Sequence, residues 1–130
     1  MTSANQTKPQ SIADLLGLTL AAVERDGDDE IIFTLDTGPS YKLYHQSDCC
    51  ESVTIEDVVG DLSDLVASPL TMAEETTNGQ DLEYGEHATW TFYRLATAKG
   101  YVTIRWCGRS NGYYSEAVDF GPSDKRAKPQ

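Results

Sequence analysis

Apolar and polar positions along this chain change period several times, and each change predicts an element. The segment SIADLLG (11–17) has a capping serine, an acid at the third helical position and a closing glycine, which predicts a short helix. Strand-like segments follow. LTLAAVE, EIIFTL and YKLYH read as three strands separated by RDGDD and DTGPS, turns whose Gly, Pro and Asp permit chain reversal. Ile31, Phe33 and Leu35 share one strand face. Tyr41, Leu43 and His45 do the same, so His45 is expected on the apolar side of its strand or at that strand's end.

The period lengthens in TIEDVVGDLSDLVAS (54–68). Ile55, Val58, Val59, Leu62, Leu65 and Val66 trace one helical stripe, Thr54 can cap it, and Pro69 stands beyond its end. Gly60 costs about 1 kcal/mol inside a helix, which leaves a competing reading: a strand over 52–58, then one helical turn. A helix over at least 61–66 is favoured. LTMAEETT reads as a strand, NGQDLEYGEH as a polar loop, and ATWTFYRLAT, YVTIRWCG and YYSEAVDF as strands joined by the turns AKG and RSNG. Asn111-Gly112 suits a type I′ hairpin, where both central residues need positive φ. The expected fold class is α+β: a mainly antiparallel β-sheet of about seven strands with one or two short helices. Residues 1–10 and 121–130 are polar and carry prolines, so flexible ends are expected around a single domain over 11–120.

Composition sharpens the picture. A chain of 130 residues can bury roughly two-thirds of its unfolded surface, enough for one core without staples. No apolar run approaches the ~20 residues that span a bilayer, and the N-terminus lacks the apolar stretch of a secretory signal. A soluble, cytoplasmic protein is expected, with no membrane partner. The three cysteines, odd in number and two of them adjacent, fit a reducing compartment better than a disulfide framework. Net charge is −11 and unevenly spread. Residues 24–86 hold 17 acidic residues against two basic ones, a net −15, while 90–130 carry a net +4. Such a balance argues against direct nucleic-acid binding, which needs cations, and favours attraction to a basic protein surface.

Three groups of residues could carry chemistry. In HQSDCCES (45–52), His45, Asp48, Cys49 and Cys50 include the residue types that zinc prefers. Adjacent cysteines reach one ion poorly, however, and no second pair completes four ligands. His87, the other histidine, falls in the polar loop. A thiol nucleophile with His45 as base, oriented by Asp48 or Glu51, is a further reading, as is a vicinal Cys49–Cys50 disulfide. The favoured one is a packed corner in which Asp48 binds backbone N–H groups and the cysteines are small buried hydrophobes. The second group is acidic. Glu56, Asp57, Asp61 and Asp64 would line the polar side of the proposed helix, followed by Glu74 and Glu75. Carboxylates so spaced can be a solvated face, or can imitate duplex phosphates and occupy a basic groove. The third group is Arg105, Arg109, Tyr113 and Tyr114 around the Asn-Gly turn. They form an interface anchor or, as favoured, cross-sheet packing with arginines paired to the acidic half.

The pieces HQSDCCESV, IEDVVGDL, SPLTMAEE, TWTFY and SNGYYSE, within about residues 17–120, resemble a family of small uncharacterised proteins common in tailed phages, prophages and actinobacterial genomes. The resemblance implies a phage or mobile-element setting and no particular activity. Cys107 stands where that pattern has an aromatic residue, which makes it a poor candidate for a shared site. The expected function is a non-enzymatic accessory protein that binds another protein through its acidic surface, such as an inhibitor of a host nucleic-acid-binding defence enzyme. The alternatives are a small metal- or thiol-dependent enzyme centred on His45–Glu51, with zinc as its cofactor, and a minor virion structural protein.

Overall fold

Side-chain alternation decides most of the strands. A computed structural model describes residues 8–129 and contains eight: β1 (Leu20–Asp26), β2 (Glu30–Leu35), β3 (Ser40–Tyr44), β4 (Ser52–Val59), β5 (Met72–Asp81), β6 (His87–Thr97), β7 (Gly100–Ser110) and β8 (Asp119–Pro122). They form two four-stranded sheets, ordered β1-β2-β3-β8 and β4-β7-β6-β5, with every neighbouring pair antiparallel. Most of the N-terminal stretch expected to be flexible lies outside the described residues. Among the described residues no helix is long and apolar enough to cross a membrane.

Both sheets contribute to one core. Val23, Ile31, Phe33 and Leu43 enter it from the first, and Tyr93, Leu95, Ile104 and Trp106 from the second, all at most 1% exposed. Fully burying an apolar side chain of this size stabilises by about 1.5–3 kcal/mol. Ile32 and Thr34 point the other way from β2 and are buried too. The reason is residues 121–129, which composition marks as a loose tail. They run along the outer face of the first sheet, where Ala127 packs with Ala22 and Ile32 and its N–H donates to Thr34 Oγ1 at 2.8 Å. Lys125 Nζ reaches Asp26 at 3.1 Å, and the Lys128 N–H reaches Glu24 at 3.0 Å. The Asp26 carboxylate raises the Lys125 pKa.

The expected α+β class is corrected to an almost wholly antiparallel β architecture. Its only helical elements among the described residues are 3₁₀ turns at Ile12–Leu15, Leu62–Leu65 and Glu83–Gly85. Of the two readings of 54–68, the one that forms is the strand over 52–58 followed by a single helical turn, here β4 and the turn Leu62–Leu65, and not the continuous helical stripe. Val53 and Ile55 alternate inward, a bulge at Glu56 shifts the register, and Val59 is left exposed. Gly60 then ends the strand at φ 109°, and a side chain there would stand 2.5 Å from the Tyr101 carbonyl oxygen. Of the proposed helix only the turn at Leu62–Leu65 forms, capped by Asp61.

Two further expectations change. The polar stretch 78–87 is not all loop, because β5 continues through Asp81. YYSEAVDF does not form a hairpin strand on β7. Both edges of β7 are already occupied, by β4 and β6, so the chain after Asn111-Gly112 cannot pair there. It crosses to the first sheet and pairs with β3 only from Asp119.

Candidate functional site

The chain passes between the sheets twice at one end, and the two passages lie side by side. Residues 45–51 lead from β3 to β4, and residues 111–118 lead from β7 back to β8. Since β3 neighbours β8 and β4 neighbours β7, the sheet order itself brings these segments together. Each of the protein's two histidines fastens the second passage.

His45 follows directly after β3. Its Nδ1 lies 2.7 Å from the Ala117 carbonyl oxygen and its Nε2 lies 2.8 Å from Glu51 Oε2. Both ring nitrogens thus face oxygen acceptors of the fold, which leaves neither directed at a metal. The side chains are 4% and 0% exposed. Glu51 also accepts the Asp48 N–H at 2.8 Å and the Cys49 N–H at 2.9 Å. The His45 hydrogen bond first, then those of Cys49 and Asp48, lower the Glu51 pKa to about 2, against the opposing effect of burial. The role of gathering backbone N–H groups, expected of Asp48, thus belongs to Glu51.

The cysteines differ from expectation as well. Cys49 and Cys50 are exposed, not buried, and are joined by a disulfide with S–S 1.99 Å. The loop turns outward between the sheets at 46–50, which takes both side chains away from the core. Cys107 is a buried free thiol. Among the described residues, no three His, Cys, Asp or Glu side chains come together as a metal-binding group.

The six nominated carboxylates do not form one stripe, because the helix that would align them is a strand and a turn. Glu56 accepts from Arg105 Nε at 2.7 Å and Trp90 Nε1 at 3.2 Å, and Asp57 lies 3.9 Å from Arg105 Nη2. Asp61 caps the turn through Ser63 Oγ and N–H, and these bonds lower its pKa. Half-buried Asp64 offers its backbone carbonyl to Thr97 Oγ1. Glu74 is the register partner of Arg94. Glu75 accepts from Tyr93 OH at 2.5 Å, and burial, then this contact, push the Tyr93 pKa up. Successive strand residues face opposite ways, so Glu74 and Glu75 belong to different surfaces. At the Asn-Gly turn, Tyr113 is 82% exposed and meets Tyr114 edge to face, rather than packing across a sheet.

Sequence reasoning passed over the second histidine site. His87 opens β6, and its Nδ1 lies 2.7 Å from Glu116 Oε1, which also accepts from Thr89 Oγ1 at 2.8 Å. Ser110 Oγ donates to Glu116 Oε2. Burial pushes the Glu116 pKa up, but the bonds from Ser110, His87 and Thr89 outweigh it and the net shift is downward. Gly108 lets this segment approach: a Cβ there would stand 2.6 Å from the Glu116 carbonyl oxygen. The Glu116 side chain is 5% exposed and that of His87 31%. A carboxylate only accepts, so His87 Nδ1 donates to Glu116, while Nε2 lies 4.0 Å from Asp81 Oδ1. A cleft of about 450 Å³ opens here between β5–β6 and residues 112–118. Two signals pointed to the site. His87, Thr89 and Thr91 extend the strand alternation by one step, and Glu116 is one of only three acids in the basic last third.

A last feature is the tip of the β5–β6 hairpin. Glu74–Asp81 are exposed at every position, and Tyr84, held at φ 61° between Glu83 and Gly85, is 97% exposed. The sequence matches the family described as a domain of unknown function (DUF7448) over residues 13–120. No curated protein and no solved structure matches the chain.

Proposed function

The chain belongs to the DUF7448 family, and we propose that it is a non-enzymatic accessory protein that binds another protein through its acidic surface. The observation that carries this reading is the β5–β6 arm. Exposed Asp81, Glu83 and Glu86 flank Tyr84 along the chain, and Tyr84 itself is a tyrosine with almost no contact to the rest of the fold. An exposed aromatic flanked in the chain by one sign of charge suits an interface anchor, with the charges steering a partner of opposite sign. Glu74 extends the acidic arm along β5, whereas Glu75 lies on the opposite face, where it accepts from Tyr93 OH. Glu56 and Asp57 contribute less, since Arg105 offsets them.

The partner is a basic protein surface in the bacterial cytoplasm. In the phage setting that the sequence resembles, a host nucleic-acid-binding enzyme meets that description. Direct nucleic-acid binding is disfavoured by the net charge of −11. The rival reading, an enzyme centred on His45–Glu51, has less support, because both His45 nitrogens are engaged and the adjacent cysteines are bonded to each other.

Affinity capture from a bacterial lysate tests the proposal, comparing the native protein with a triple variant Glu83→Lys, Tyr84→Ser, Glu86→Lys. The native protein should retain a basic partner at low salt and release it as the screening length falls to about 8 Å at physiological ionic strength. The variant should retain none. Retention insensitive to salt, or undiminished in the variant, contradicts the reading.

A further inference from the structure

The cleft beside His87 is walled by side chains that nothing in the acidic-arm reading uses. Its lining includes Glu75, Thr77, Thr89, Thr91, Tyr114 and Ser115, a carboxylate with four aliphatic hydroxyls and a phenol. No Lys or Arg lines it, so a phosphate or carboxylate ligand would find no cationic partner. Its aliphatic contribution is limited to Ala117 and Val118, too little for a lipid or an apolar ring system. A bare cation is poorly served as well. Glu116 is saturated by Ser110, Thr89 and His87, which leaves Glu75 as the one lining carboxylate with an oxygen not engaged by the fold.

What remains is a ligand that both donates and accepts many hydrogen bonds and carries no negative charge. We propose that this cleft binds a polyhydroxylated ligand of the saccharide class, one or two rings in size. Hydroxyl groups match Thr and Ser hydroxyls in either direction, since each can donate once and accept twice. Glu75 can accept from a sugar hydroxyl in a charge-assisted bond. The Tyr114 ring supplies a flat face among the polar groups, and its edge-to-face contact with Tyr113 helps hold it. A volume of about 450 Å³ lies in the range of small-ligand sites. The site is built rather than incidental, for the Glu116 side chain that anchors its wall is 5% exposed and accepts from three side chains.

The test is an amide-resolved NMR titration of the full chain with glucose, N-acetylglucosamine, maltose and cellobiose, against glucose 6-phosphate. Saturable shifts from at least one unphosphorylated sugar, confined to residues 75–77, 87–91 and 112–118, are expected. Glu75→Gln should weaken that binding about tenfold, as loss of a charge-assisted hydrogen bond does, and Thr77→Val should weaken it less. Both positions are solvent-exposed, and unchanged signals from β1–β3 report that each variant folds. No shift in the cleft with any of the four sugars overturns the proposal. So do equal shifts with glucose 6-phosphate, or full affinity in Glu75→Gln. None of these outcomes depends on protein capture by the β5–β6 arm.

Discussion

The two Glu–His pairs do similar structural work and differ in what they leave over. His45 and Glu51 close on each other: both ring nitrogens are engaged, three donors converge on Glu51, and neither side chain meets solvent appreciably. Glu116 is as fully engaged as Glu51, but its histidine hydrogen-bonds at Nδ1 alone, with the exposed Asp81 carboxylate 4.0 Å from Nε2, and stands a third exposed beside a cleft. One pair is therefore a fastening with no remaining valence. The other is a fastening with one face directed to whatever enters. A residue type that suggests chemistry is thus uninformative until its bonding capacity has been counted. The histidine beside two cysteines and two acids is spent on structure, and the one in a polar stretch is not.

The sharpest way to break this comparison is to remove each acceptor. Glu51→Ala strands the His45 ring and two backbone N–H groups in the passage between sheets, and should give the largest fall in the urea midpoint. Glu116→Ala leaves Ser110, Thr89 and His87 unpaired and should cost about 2–3 kcal/mol, the scale expected when buried donors lose their acceptor. It should cost less than Glu51→Ala because half-exposed His87 and Thr89 can turn to water. A reversed order would place the main fastening at the wrong histidine.

Acid should produce a smaller, graded effect with a definite sign. The Glu51 pKa is lowered to about 2 from 4.5, so the folded state favours the carboxylate. Its contribution is complete above the unfolded value near 4.5 and is lost as pH falls toward 2. The Glu116 pKa is lowered as well, and its contribution falls in the same direction. Denaturation midpoints followed from pH 7 down to about 2 should drop more steeply in the native protein than in Glu51→Gln. Parallel curves would mean that the Glu51 carboxylate adds nothing.

Much of the sheet structure was legible in the sequence because local rules decide it. EIIFTL, YKLYH, ATWTFYRLAT and YVTIRWCG alternate or carry β-branched runs, and all four segments fall in strands except for His45, which follows the end of β3. The 54–60 segment misleads because Ile55, Val58 and Val59 satisfy both periods, and a bulge at Glu56 breaks the alternation that would have identified a strand. The fate of YYSEAVDF was not legible at all. Whether it pairs with β7 depends on which strands occupy the edges of β7, a property of the assembled sheet. The candidate site followed the same division. His45 and Glu51 are six residues apart and were visible as a cluster. His87 and Glu116 are 29 apart and meet only because residues 111–118 cross between sheets.

Selective histidine labelling measures the contrast between the two pairs most directly. Under native conditions, treatment with diethyl pyrocarbonate followed by peptide mass spectrometry should modify His87 and leave His45 essentially untouched until the protein unfolds. Equal modification of the two, or faster modification of His45, would contradict the assignment of His45 to a closed corner and His87 to an open one.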